Sequence, residues 1–362
     1  MEKRLAINIK ILLEKIGLTN IDITINRSWA RLIISLEGFT SKEDITQKII
    51  SVVANNVAGI TSLSPVTRIS SDMEEIKKTA LTLAKKNMQP GSSFAVRARR
   101  IGNHNYTSQD LERLVGEVLF ESLAKKLNLT VNLTKPDYTL SIEVKDEVAF
   151  IFDEKISGIG GLPQGTHGTI YSILRGSVED AIAGFLLSKR GANVIPIAFT
   201  LKNTKEFSNS SALDKQLEIF NFMQPKKQFS YFEVDFTKII DEIKLERLQC
   251  TTCDQLCIKI TEQILENKTI DGITLGNSPE AILDRIPESS KKQLKPIYYP
   301  MISLKSQQIE NPFQKNFKSE FCLNKCPGFE NQKKKEIKPP STAEFEQIVA
   351  NANFSLIKPD KS

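Results

Sequence analysis

The stretch GGLPQGTHGTIYSILRGSVEDAIAGFLLSKRGANVIPIAF, residues 160–199, decides how the second half of the chain folds. A glycine-containing loop leads into the β-rich run Ile170–Leu174, which ends in the turn Arg175-Gly176-Ser177-Val178-Glu179-Asp180. An apolar helix follows and a second strand closes the stretch, so it reads as one βαβ unit of a parallel sheet. The turn between such a strand and its helix is where backbone N–H groups stand ready to hold phosphate. Here it carries an arginine and two acids in place of small donors.

Outward from that unit, length and charge set limits. A chain of 362 residues exceeds one typical core and predicts two or three domains. The formal charge of +6 leans mildly toward polyanions such as nucleic acid. The N-terminus MEKRLAINIKILLEKIG alternates charged and apolar residues and lacks the apolar core of a signal peptide. No apolar run reaches the length of a membrane span, so no membrane partner and a cytoplasmic location are expected.

Residues 3–16 have apolar positions at helical spacing, and DITINRSWARLIISLEG reads as two strands. With a helix starting at Ser41 and the extended GITSLSPVTRI, they make a small α+β domain over residues 1–72. Residues 73–167 hold a helix, the strand SSFAVRARRIG, a long helix capped at Thr107 or Ser108, and two strands about Lys145-Asp146-Glu147. The strand–helix–strand pattern occupies 168–328, and the basic, then proline-containing segment 329–362 reads as a flexible tail.

In FAVRARR, Phe94, Val96 and Ala98 alternate with Ala95, Arg97 and Arg99, and Arg100 follows at the strand end. Such a face is either a solvated strand surface or a phosphate contact. Arginine suits the second because its planar fork of donors stays charged. His104 and Tyr106 lie beside it, with rings able to stack on unpaired bases.

The segments SSFAVRARRIGNHNYTSQDLERLVG (92–116), VNLTKPDYTLSIEVKDEVAFIF (131–152) and GIGGLPQGTHG (158–168) resemble, in order and spacing, the THUMP region of tRNA 4-thiouridine synthetases. The resemblance implies α+β N-terminal ferredoxin-like and THUMP domains, followed by an α/β parallel-sheet PP-loop-like domain of the adenine nucleotide α-hydrolase-like type. It implies the tRNA acceptor end as partner, held in the region of Arg97, Arg99, Arg100, His104, Tyr106 and Lys145. The implied activity is that of a tRNA uridine 4-sulfurtransferase, which adenylates a uridine and replaces the activated oxygen with sulfur. A sulfur donor, an activating partner protein and a homodimer are compatible with it.

The family's phosphate loop reads Ser-Gly-Gly-x-Asp-Ser, and RGSVEDAIAGF aligns with it without a gap. Arg175 stands for the first Ser, Gly176 is kept, Ser177 stands for the second Gly, Glu179 for Asp and Asp180 for the last Ser. Asp180 then sets a negative charge where a hydroxyl would donate, and like charges about 4 Å apart repel by roughly 1–4 kcal/mol in wet surroundings. Glu179 and Asp180 suit the first turn of an ordinary helix, although Arg175 is able to hold an anion from the other side. Ordinary use of ATP and magnesium at Arg175, Gly176, Ser177 and Asp180 is therefore in doubt. The downstream segment DGITLGNSPEAILDRI keeps only Leu275-Gly276 and Ser278 of a second family loop.

All five cysteines lie after residue 249. LQCTTCDQLCIKI pairs Cys250 with Cys253 in Cys-x-x-Cys, and FCLNKCPGF places Cys322 and Cys326 before a proline. These spacings suit two thiolates each on a metal or cluster. A redox dithiol or structural zinc remains open, and Cys257 reads as a buried apolar residue. By resemblance to family members without a rhodanese domain, Cys250, Cys253 and Cys322 or Cys326 are expected to hold an iron–sulfur cluster of the 4Fe-4S type. With three ligands one iron stays open to carry sulfur; with four the cluster is closed. No residue receives a catalytic role. The expected function is tRNA binding in tRNA thiolation, and the alternative is a non-catalytic tRNA-binding paralogue that has lost adenylation.

Overall fold

The structure is a computed structural model that describes residues 1–19, 21–26, 31–36, 42–201, 210–224, 229–243, 250–266, 268–277, 295–302 and 340–358. Two units result, one formed by Met1–Thr61 with Gly158–Ser362 and the other by Ser62–Ser157. These limits differ from the boundaries expected at residues 72 and 167. Residues 67–70 join the second unit because they pair with its sheet. Residues 158–167 join the first, where Leu162 N–H donates to the Lys189 carbonyl (2.8 Å) and Gly165 N–H to that of Gly191 (2.9 Å).

The first unit begins with α1 (Glu2–Lys15), the antiparallel pair β1 (Asp22–Asn26) and β2 (Arg31–Ser35), and α2 (Lys42–Asn56). Ser41, the expected cap of α2, lies outside the described residues. The N-terminal segment is not a separate body. Asn8 Nδ2 donates to the Gln164 carbonyl at 3.0 Å and Lys15 Nζ to that of Gln224 at 2.8 Å. The chain leaves this unit along β3 (Ile60–Leu63), and later returns along β9 (Ile156–Gly160).

The second unit contains β4 (Thr67–Ser70), α3 (Met73–Asn87), β5 (Ser93–Ile101), α4 (Ser108–Leu127), β6 (Thr130–Val131), β7 (Tyr138–Lys145) and β8 (Val148–Phe152), with strand order β4-β8-β7-β5-β6. Asp72 caps α3 by accepting from the Glu74 and Glu75 N–H groups, and Thr107 caps α4 in a reciprocal box with Asp110. Leu111, Val115, Leu119 and Leu123 recur every fourth residue of α4 and are all buried, against Leu140, Ile142 and Val144 of β7. Asp146 turns the β7–β8 hairpin at φ 49°.

The rest of the first unit is the expected parallel sheet. It comprises β10 (Thr169–Leu174), α5 (Val178–Lys189), β11 (Asn193–Thr200), α6 (Ser210–Met223), β12 (Tyr231–Asp235), α7 (Phe236–Ile243), α8 (Cys250–Ile264), β13 (Gly272–Thr274), β14 (Ile297–Tyr298), α9 (Thr342–Ala350) and β15 (Phe354–Ile357). The strand order is β14-β13-β10-β11-β12-β15, parallel except for β15. Both faces are covered. Ile170, Val194 and Ala198 pack toward α5 and α6, while Ile173, Ile197 and Val234 pack toward α7, α8 and α9. The chain builds outward from β10 to β12, then crosses back to place β13 on the other side of β10. The carboxyl ends of β10 and β13 therefore form the switch point where parallel sheets open a crevice.

The tail needs correction. Within 329–362, residues 340–358 are folded: Ser341 caps α9 in a box with Glu344, and β15 pairs with β12 from Phe354 to Ile357. Apolar residues at helical spacing in TAEFEQIVA override the proline and lysine content just before them, and Ile348 is buried in the main core. Changing Ile348→Ala is expected to destabilise the protein by about 2–5 kcal/mol, measured by urea unfolding. A flexible tail would give no change.

Candidate functional site

The strand β5 delivers its arginines as the alternation requires. Phe94 and Val96 are buried in the core, while Arg97 and Arg99 are exposed on the opposite face. The register places Arg99 beside Glu143, Glu143 opposite Phe150, and Phe150 opposite Arg68 of β4. Arg68 is exposed and therefore shares the arginine face, which the sequence reading missed. Its signal was the polar alternation Thr67-Arg68-Ile69-Ser70 on a strand whose pairing was unknown. Lys145 continues this face at the end of β7, half-buried beside Ile101. Arg97 Nη2 donates to the Leu133 carbonyl.

Arg100, His104 and Tyr106 behave differently. Arg100 follows Arg99 and so points with Val96 and Ala98. Its Nη1 donates to the Gly102 carbonyl at 2.6 Å and meets His104 Nδ1 at 3.3 Å. His104 Nε2 lies 2.6 Å from the Asp146 carbonyl, so Nε2 donates there and Nδ1 accepts from Arg100. Tyr106 is only 9% exposed, its hydroxyl donates to the Ser71 carbonyl at 2.6 Å, and its ring stacks on His104 at 5.3 Å. Burial raises its pKa. The expectation that Tyr106 offers a platform for bases is thus corrected, because its ring is part of the core.

At the switch point, β10 ends in Leu174 and the chain turns at Gly176, whose φ of 94° suits glycine. Ser177 caps α5 by accepting from Asp180 N–H at 3.2 Å, as an ordinary helix start would have it. Asp180, fully buried, is the centre of the site. Its Oδ2 accepts from the Arg175 backbone N–H (3.1 Å) and from Arg175 Nε (2.9 Å). Its Oδ1 accepts from Arg175 Nη2 (2.7 Å) and from Gly276 N–H (3.0 Å). The guanidinium and the carboxylate form the two-pronged geometry that makes such pairs strong. Arg175 Nη1 also donates to Asp254 on α8, and Nη2 to Asn277 Oδ1 at 3.0 Å. Asn277 Nδ2 closes the ring by donating to Asp254 at 2.8 Å. Gly276 is required here: a Cβ would overlap the Glu179 carbonyl carbon and the Asp180 nitrogen.

Sequence reasoning marked Arg175, Gly176, Ser177 and Asp180 and saw repulsion toward phosphate. It missed Asp254 and Asn277, and with them the fact that Arg175 and Asp180 are partners of one another. Asp254 immediately follows Cys253, so the same cluster reaches the cysteine helix. Cys250 and Cys253 are partly buried one turn apart on α8, and Cys257 is fully buried in the core, as expected. A hydrogen bond with Cys257, together with burial, holds the Cys253 thiol well above its ordinary range, and Arg175 opposes that shift. Cys322, Cys326 and Ser278 lie outside the described residues. Among the described residues, no helix is long and apolar enough to cross a membrane.

Comparison with known proteins agrees with this architecture. A model of the THUMP domain matches residues 70–154, and one described as thiamine biosynthesis protein (ThiI) matches residues 165–344. A probable tRNA sulfurtransferase of Methanobrevibacter smithii is 30% identical over 271 residues, covering 70% of this chain and 69% of that protein. One of Methanosarcina acetivorans is 26% identical over 300 residues, covering 79% and 69%. Among solved structures, PH1313 from Pyrococcus horikoshii Ot3 superposes with a TM-score of 0.64 at 25% identity, covering 84% of this chain and 89% of that chain. A 4-thiouridine synthetase in complex with RNA, with bound ATP, shares the fold at a TM-score of 0.70 and 19% identity, covering 98% of this chain and 94% of that chain. The α+β THUMP unit and the parallel-sheet unit are therefore those of the tRNA sulfurtransferase (ThiI) family, to which this chain belongs.

Proposed function

We propose that the chain binds tRNA through the arginine face of its THUMP unit and acts in tRNA thiolation. The observation that carries this is the row of exposed Arg68, Arg97 and Arg99 on one face of the sheet. Its support is the family, whose named relatives are tRNA sulfurtransferases and one of whose solved members holds RNA. Exposed guanidinium groups keep their hydration and charge until phosphate displaces water and counterions, so they set affinity and orientation without reading sequence.

The bound ATP of the solved relative does not carry over. Around Asp180 the main-chain donors and the guanidinium already have an anion, so the reading is a family member without ordinary ATP use. The sulfur chemistry would rest on an iron–sulfur cluster held by Cys250, Cys253 and one or both of Cys322 and Cys326. Cys250 and Cys253 fit two ligands of one cluster, being one turn apart at the start of α8 and partly buried. When bound, such a cluster would supply an iron able to carry sulfur to a base whose oxygen a partner protein has activated as a leaving group. The filled turn also favours a second reading, a tRNA-binding paralogue without catalysis. Mass spectrometry of tRNA nucleosides from cells with and without the gene separates them, since loss of 4-thiouridine supports the first and an unchanged profile the second.

Replacing Arg68, Arg97 and Arg99 together by Ala is expected to weaken tRNA binding about tenfold or more and to lower the salt slope by about 2–3. Unchanged affinity in the folded variant rules out the arginine face. Protein purified without oxygen is expected to be brown and to contain iron and acid-labile sulfide. A colourless preparation with one zinc per chain decides for a structural site instead.

A further inference from the structure

We propose that the Asp180 carboxylate is a tethered anion that occupies an oxyanion site of the chain and closes it to free phosphate groups. The donors around it are those that hold oxyanions elsewhere: two main-chain N–H groups, from Arg175 and Gly276, and the two N–H donors, Nε and Nη2, on one edge of a guanidinium. Both oxygens accept two hydrogen bonds each, so the carboxylate is saturated.

These donors are fixed independently of Asp180. Arg175 is held from its far side by Asp254 and by Asn277 Oδ1, and Asn277 is itself tied to Asp254. Gly276 N–H is aimed at the site by a main-chain approach that no residue with a Cβ permits. The carboxylate at the centre has one covalent attachment, to a helix whose Ser177 cap already anchors its first turn. Removing that side chain leaves a preorganised set of donors around an empty volume, and what fits it is a small oxyanion such as phosphate or pyrophosphate. In the native chain a free oxyanion competes with a group that loses no translational freedom on binding and whose charge repels it.

This inference rests on the reading that the turn takes no ATP, and deepens it by saying what stands in the way. The test uses the full chain, with inorganic pyrophosphate as probe, followed by calorimetry and by thermal melting. The native protein is expected to show no saturable binding. Asp180→Ser, which clears the site and adds a hydroxyl donor, is expected to bind pyrophosphate at least about tenfold more tightly than the native chain. Asp180→Asn, which keeps the volume filled, is expected to stay silent. Adding Arg175→Met to Asp180→Ser is expected to abolish the gain. A folded Asp180→Ser protein that does not bind pyrophosphate overturns the tethered anion while leaving the refusal of ATP by the native chain intact. Native protein that binds ATP overturns both. If Asp180→Ser melts without cooperativity on its own, recovery of a cooperative transition on adding pyrophosphate supports the inference, and no recovery overturns it.

Discussion

The pairing of Arg175 with Asp180 is the constraint on which the parallel-sheet unit depends. Moving a carboxylate from water into a dry interior costs on the order of 20 kcal/mol in the idealised limit, and only good partners offset it. Asp180 has them from three directions: its own turn, the Arg175 side chain and the loop after β13. The same guanidinium reaches α8 through Asp254, whose sequence separation from Arg175 is 79 residues. The carboxyl ends of β10 and β13 are thereby closed by charge, where the rest of the unit is closed by apolar packing. Loss of Arg175 leaves the buried Asp180 and Asp254 carboxylates without their cation, which typically costs about 3–5 kcal/mol.

That cluster and the cysteine helix are neighbours through one peptide bond. Asp254 follows Cys253, so the interaction that seals the switch point also fixes the first turn of α8. Helical spacing puts Cys250, Cys253 and Cys257 along one side. Depth then divides them: Cys257 is fully buried against the sheet, while Cys250 and Cys253 remain partly exposed. One residue type thus serves as core and as candidate ligand within two turns, and burial decides which.

How much of this was legible in the sequence follows from the range of the interactions. The βαβ unit and the alternation of β5 depend on neighbours within a few residues and read correctly, and of the two expected caps of α4, Thr107 and Ser108, the cap is Thr107. Arg68 was missed because its place on the arginine face depends on the pairing of β4 with β8, some eighty residues on. Tyr106 was misread because its hydroxyl partner, the Ser71 carbonyl, is 35 residues away and leaves no composition signal. In the last segment, a proline and lysine run outweighed a short amphipathic helix whose stability comes from Ile348 docking into a distant core. The closed turn was half legible. The sequence places an acid at 180 where the family has a serine, but that its carboxylate accepts from the turn and from the loop after β13 emerges only once Gly276 and Arg175 are seen to converge.

The two units use arginine in opposite ways, and the surroundings explain the difference. Arg97 and Arg99 stand on an exposed strand face, where water screens them as it screens the exposed pair of Arg113 with Glu117 on α4, which contributes only a few tenths of a kcal/mol. Charges held so weakly are easily redirected to a polyanion. Arg175, with its side chain 13% exposed, is divided between two carboxylates and an amide, and its fork is committed. A guanidinium in that state adds little to attraction at a distance, because its field is cancelled nearby by Asp180 and Asp254. It acts instead as a rigid connector. The net positive charge of the chain therefore says less about where an anion binds than the burial of each cation does. By that criterion the exposed cations of the arginine face lie on the THUMP unit, while Arg175, despite its position at the switch point, is committed to partners within the chain.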